Sequence, residues 1–97
     1  MKPSIALEKN REAVRAAIQR YPTIANPRVF GSVLHGDDTE ESDLDLLVDA
    51  LPGTSLFTLG GLQVELEKLL GVPVDLVLAS ELNRRIKDQV ITEARPL

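Results

Sequence analysis

The sequence predicts an α/β (α+β) fold in which a small mixed β-sheet is flanked by helices. Three observations predict it. Apolar residues recur at three- and four-residue intervals in three separate stretches, the period of an amphipathic helix. Between those stretches lie short alternating or continuous apolar runs, the mark of strands, and the resulting order of helix-strand, strand, helix-strand, helix buries its apolar faces only by layering helices on a sheet. Finally, the 97 residues are 43% hydrophobic and 27% charged, a balance that collapses and folds, and that length predicts one domain over residues 1–97.

Residues 4–21 read as the first helix, with Leu7, Val14, Ala17, Ile18 and Tyr21 on one face and Glu8, Arg11, Glu12 and Arg15 on the others. Ser4 is placed to cap it. Pro22 and Pro27 bracket a connector, and Arg28, Val29 and Phe30 form a short strand running into Gly31 and Ser32. The polar stretch Gly36–Ser42 is a loop. In the following run DLDLLVD, Asp43, Asp45, Leu47 and Asp49 point one way and Leu44, Leu46 and Val48 the other, which makes a strand with an acidic face. Leu51–Thr54 turn the chain into a second helix whose inward residues are Phe57, Leu59, Leu62, Leu66, Leu69 and Leu70. Gly60 and Gly61 weaken its first half, and Gly71 and Pro73 end it. Val74–Leu78 is a third strand. Residues 81–94 are the last helix, with Leu82, Ile86, Val90 and Ile91 inward.

Composition narrows the function. Fifteen acidic residues against eleven basic give a net charge of -4, which disfavours binding polyanions through a general positive field. One Tyr, two Phe and no Trp leave almost no platform for stacking single-stranded nucleic acid, so nucleic acid enters only as a candidate acceptor. The absence of Cys excludes disulfides, thiolate metal sites and Cys nucleophiles. No apolar run is long enough to span a bilayer and no signal-peptide pattern opens the chain, so a cytoplasmic setting is expected.

The chemistry concentrates in a few positions. Asp43 and Asp45 lie two apart on a predicted strand, so their carboxylates share a face with Cα atoms roughly 6.5 to 7 Å apart. Hard Mg²⁺ takes one or two carboxylates together with substrate phosphates, and two such ions can clamp an in-line displacement. Asp75 is the candidate third carboxylate, because it interrupts the apolar run VPVDLVL, where burying it unpaired would be costly. A solvated strand face is the alternative for the pair. Gly31-Ser32, at the end of a strand, lets backbone and a hydroxyl approach a phosphate, against the alternative of an ordinary strand-ending turn. A P-loop is excluded because Asp37 and Asp38 stand where Lys and Ser/Thr belong. A calcium loop fails as well, with Leu47 and Val48 where Asp/Asn and Gly are required.

Taken as one pattern, Val29–Val48, VFGSVLHGDDTEESDLDLLV, resembles the defining motif of the nucleotidyltransferase superfamily that includes DNA polymerase beta, most closely its minimal, stand-alone bacterial members of the antitoxin type. The match comprises an apolar strand, Gly31-Ser32, Gly36, a polar spacer, Ser42-Asp43-x-Asp45 and an apolar tail, with Asp75 in the place of the family's third carboxylate. The resemblance implies a polymerase-beta-like core. It implies that Asp43 and Asp45 hold two Mg²⁺ ions, with Mn²⁺ as a substitute, that Asp75 completes one site and helps activate the acceptor, and that Gly31, Ser32 and Ser42 bind the nucleotide. It also implies ATP as the donor and a HEPN-type partner protein in a toxin-antitoxin pair as the acceptor.

Two departures stand out. Minimal members commonly carry basic residues between Ser32 and Gly36, where this chain has Val33 and His35, and a weakened activity is the expected consequence. His35 reads as a polar loop residue or as a phosphate or acceptor contact. Asp49 reads as a strand-end residue, and Asp37, Asp38, Glu40 and Glu41 as a solvated loop. Arg84, Arg85 and Lys87 read as a solvated face of the last helix, with partner contact as the alternative. A sheet edge or helix face left open by so small a chain makes docking of a partner or of a second copy an expectation. The competing function is a noncatalytic module that keeps the fold and occludes its partner. Against it stands the repulsion among three carboxylates packed together without a cation.

Overall fold

The run at residues 44–48 is the most deeply buried stretch of the chain: Leu44, Leu46, Leu47 and Val48 are each 0% exposed. A computed structural model describing residues 1–97 shows why. The elements are α1 (Pro3–Gln19), β1 (Ile24–Phe30), α2 (Gly31–His35), β2 (Leu44–Ala50), α3 (Leu56–Leu70), β3 (Val74–Leu78), a 3-10 turn (Ala79–Glu81), α4 (Arg84–Glu93) and β4 (Arg95–Pro96). The sheet order is β3-β2-β1-β4, so β2 is interior and β3 forms an edge. Pairing is antiparallel between β1 and β2 and between β1 and β4, and parallel between β2 and β3. The sheet is therefore mixed, and helix α3 supplies the crossover that a parallel pair requires.

Helices α1 and α3 cover one face. Leu7, Val14, Ala17 and Ile18 of α1 and Leu62, Leu66 and Leu70 of α3 close on Leu44, Leu46 and Val48 to make the aliphatic core. Ser55 caps α3 by accepting the Thr58 N–H at 3.1 Å, and Gly71 ends it with a left-handed φ of 71°. Burial does not alternate along β2 as strand periodicity predicts. Leu47 points to the face of Asp45 and Asp49 yet is fully buried, opposite Arg28 of β1. Arg28 is itself buried and donates to Asp49 Oδ1 at 2.8 Å, which gives Asp49 its strand-end role.

Several expectations fail for tertiary reasons. Strand β1 begins at Ile24 and runs through Pro27, because a bulge between Ala25 and Arg28 accommodates a residue without an N–H, with Asn26 at φ 54°. Ser4 lies inside α1 rather than capping it. Its backbone N–H donates to Asp38 Oδ2 at 2.8 Å, so Asp38 is a buried cap at the helix N-terminus and not a solvated loop residue. Phe57 is 92% exposed, because α3 projects past the core at its start. Helix α4 buries none of its residues, and Ile86 and Ile91 of its apolar stripe are 47% and 38% exposed.

Candidate active site

Three acidic residues meet at one end of the sheet, on the side away from α1 and α3. The antiparallel register sets Asp45 opposite Phe30, and the parallel register sets it opposite Asp75. The residue after Phe30 is Gly31, which opens α2 at a φ of 73°, in the left-handed region that favours glycine. A Cβ on Gly31 would overlap Asp45 Oδ2 outright and would stand 2.9 Å from its Cγ. Glycine at this position is what lets the Asp45 carboxylate lie against the backbone.

Asp43 is exposed and precedes β2, Asp45 is half-buried, and Asp75 is exposed on the edge strand. The expectation that Asp75 would sit in apolar surroundings fails because β3 has no neighbour on its outer side. Burial, then the charge of Asp75 and that of Asp43, push the Asp45 carboxyl up to about 6. The three groups are thus close enough to repel one another, and a cation between them would relieve that repulsion. They do not by themselves enclose an ion. That donor set suits Mg²⁺, which takes few carboxylates and fills its shell with phosphate oxygens and water, better than Ca²⁺, which needs six to eight ligands.

The remaining motif residues divide. Ser32 follows Gly31, and its hydroxyl has no partner among the side-chain hydrogen bonds, whereas its carbonyl accepts the Asp37 N–H at 2.9 Å and closes the turn after α2. Ser42 turns inward on its own loop: its Oγ accepts the Thr39 N–H at 2.8 Å, which holds the segment delivering Asp43. His35 lies at the far end of α2, with Nε2 3.1 Å from Glu93 Oε2 of α4, and so is engaged with another element. Arg84 and Arg85 are exposed.

A cavity of about 230 Å³ lies between α2 and α4, with Leu34, Ile86 and Val90 around it; none of the three carboxylates lines it, but Gly31, against which Asp45 rests, is in its wall. Periodicity places Ile86 and Val90 on the inward face of α4, and the face that borders Gly31 carries them together with Gln89 and Glu93, which lie three residues on from each and which the sequence reading left unassigned. A larger cavity of about 430 Å³ sits between the end of α1, β1 and Leu97, and none of the three carboxylates lines it.

Comparison with known proteins bears on this geometry. Residues 10–97 match a family described as the nucleotidyltransferase domain. The chain is similar to the protein adenylyltransferase MntA of Thermococcus cleftensis, 45% identical over 65 residues, which are 67% of this chain and 66% of that protein. The matched segment thus spans just under two thirds of that relative. Its fold is similar to a solved structure described as a minimal nucleotidyltransferase, with a TM-score of 0.85 and 44% identity over 97% of this chain and 95% of the other. It is also similar to a chain in a crystal structure of a variant MntA toxin-antitoxin complex, with a TM-score of 0.74 and 26% identity over 91% of this chain and 71% of that one.

Proposed function

The chain belongs to the nucleotidyltransferase domain family, and from that membership we propose that it transfers AMP from ATP to a hydroxyl of a HEPN-type partner protein, as the antitoxin of a toxin-antitoxin pair. The observation that carries this reading is the contact at Gly31, where a left-handed glycine admits the Asp45 carboxylate opposite Asp75. A merely solvated acidic strand face has no use for that opening. The adenylyltransferase relative supports AMP as the group moved, and the toxin-antitoxin complex supports a protein acceptor.

Asp43 and Asp45 would hold the Mg²⁺ ions, with Asp75 completing one site; bound there, the ions supply positive charge against the three carboxylates and the triphosphate. Gly31 receives a phosphate oxygen at its backbone, and the Ser32 hydroxyl donates to another. Ser42 acts through the loop that sets Asp43 in place. The acceptor oxygen forms its bond to the α-phosphorus as the bond from that phosphorus to the bridging oxygen breaks, and pyrophosphate leaves. Asp75, exposed at the sheet edge where a partner has access, takes the acceptor proton. Near neutral pH Asp45 is mostly ionised despite its raised pKa and so remains a ligand.

The test is incubation with labelled ATP and Mg²⁺ or Mn²⁺, with and without the product of the neighbouring gene, beside Asp43→Ala and Asp45→Ala. Covalent label on the partner that disappears in both variants supports the transfer. Tight partner binding without label, unchanged in the variants, overturns it in favour of occlusion, the reading to which the engagement of His35 by Glu93 lends weight.

A further inference from the structure

We propose that the cavity between α2 and α4 is the slot for the base of the nucleotide, and that it selects adenine; the inference rests on the nucleotidyl-transfer reading of the neighbouring carboxylates. Gly31 belongs to both places. It admits Asp45 on one side and forms part of the cavity wall on the other. A nucleotide whose phosphates lie at Gly31 and Ser32 therefore has this cavity within reach of its base.

The walls suit a flat apolar ring. Phe30 and Leu34 on one side face Ile86 and Val90 on the other, and the space of about 230 Å³ accommodates a bicyclic base. The slot also accounts for the poor packing of α4, whose amphipathic stripe buries nothing completely in the free protein. Helix α4 is held to α2 at its far end by the His35–Glu93 pair and leaves the space beneath it open.

The rim supplies a reader. Gln89 Nε2 donates to Glu93 Oε1 at 3.3 Å, and because a carboxylate only accepts, the amide nitrogen is the atom turned toward Glu93. The Gln89 carbonyl oxygen and its second N–H are left over. That acceptor-and-donor pair complements the N6 amino group and the N7 acceptor of adenine. Guanine presents two acceptors at those positions, O6 and N7, and sets O6 against the Gln89 carbonyl.

The test measures Kd by calorimetry for Mg²⁺-tripolyphosphate, Mg²⁺-ATP and Mg²⁺-GTP with the intact chain, Val90→Trp and Gln89→Ala. In the intact chain ATP binds about tenfold or more tighter than tripolyphosphate and than GTP. Val90→Trp fills the slot and brings ATP down to the tripolyphosphate value, which itself stays constant. Gln89→Ala, an exposed substitution that leaves the fold intact, removes about tenfold from ATP and little from GTP. Equal affinity for ATP and tripolyphosphate, or ATP binding unchanged by both variants, overturns the base slot while leaving the phosphate site standing. Failure of tripolyphosphate and all nucleotides to bind the intact chain overturns the transferase reading beneath it as well.

Discussion

Replacing Gly31 with Ala isolates the contact on which the site depends. The substitution has two costs. A non-glycine residue at φ 73° is strained by about 1–2 kcal/mol. The new Cβ also overlaps Asp45 Oδ2 and stands 2.9 Å from Cγ and 3.2 Å from Cβ, so the Asp45 side chain has to swing away from its place opposite Asp75. Gly71→Ala serves as the control. Gly71 has φ 71°, but a Cβ there meets nothing within 4 Å, so this variant carries the backbone strain without the intrusion. In a domain of this size 1 kcal/mol shifts Tm by about 4–8 °C, so the backbone strain alone lowers the Tm of Gly71→Ala by roughly 4–16 °C, and Gly31→Ala, which adds the intrusion on Asp45, melts at least as much lower. The two differ in function. A displacement of about 1 Å at a reacting centre can cost about 100-fold, and Gly31→Ala is expected to lose about that much AMP transfer while Gly71→Ala keeps its rate at temperatures where both are folded. The assay is initial-rate labelling of the partner, with Tm by calorimetry in parallel. Equal transfer rates for Gly31→Ala and Gly71→Ala would refute the reasoning, because Gly31 would then be only a turn residue.

Asp45→Asn trades activity for stability. With a folded pKa near 6 against an ordinary value of 3.8, the Asp45 contribution to stability is present below about pH 3.8 and is lost as pH rises through about 6. The intact chain without metal therefore weakens across that window, and at pH 7.5 Asp45→Asn is more stable by on the order of 1–2 kcal/mol after allowance for solvent screening, with the gap closing toward pH 4, as denaturant titrations at several pH values will read. Adding Mg²⁺ at pH 7.5 raises the Tm of the intact chain and not that of Asp45→Asn; equal shifts would place the ion elsewhere. Asp38→Ala removes the cap on α1 and lowers Tm without changing Mg²⁺-ATP affinity. Because the Ser4 N–H holds the Asp38 carboxyl below its ordinary value, that contribution is present above the ordinary carboxylate range and lost as pH falls through the folded value, so the Tm difference disappears in strong acid. Asp49→Ala strands the buried Arg28 guanidinium and costs roughly 1–3 kcal/mol, whereas adding Arg28→Met recovers part of the loss, a pattern read by a double-mutant cycle in urea.

Much of the fold was legible because its signals are local. The stripe through Leu7, Val14, Ala17 and Ile18 requires a helix wherever the chain folds, and LDLLV requires a strand. Pro27 misled because a bulge, which depends on the partner strand, makes room for it. Asp38 misled because a polar loop gives no sign of the helix terminus it will meet, a residue thirty-four positions earlier. Asp75 misled in the other direction, since an apolar strand can be an edge, and an edge exposes what an interior strand would bury.

The sequence alone determined the three longer helices, the outline of β1, β2 and β3, the aliphatic core and the set of carboxylates, but not α2 or β4, because helix and strand periods and residue chemistry are properties of neighbours in the chain and those two elements are too short to show a period. The tertiary structure alone decided that Gly31 makes way for Asp45, that Asp45 faces Asp75 and that α4 leaves a slot beside Gly31. Those relations follow from strand register and from the way one helix rests on the sheet, and long-range pairing leaves no period in the sequence to read.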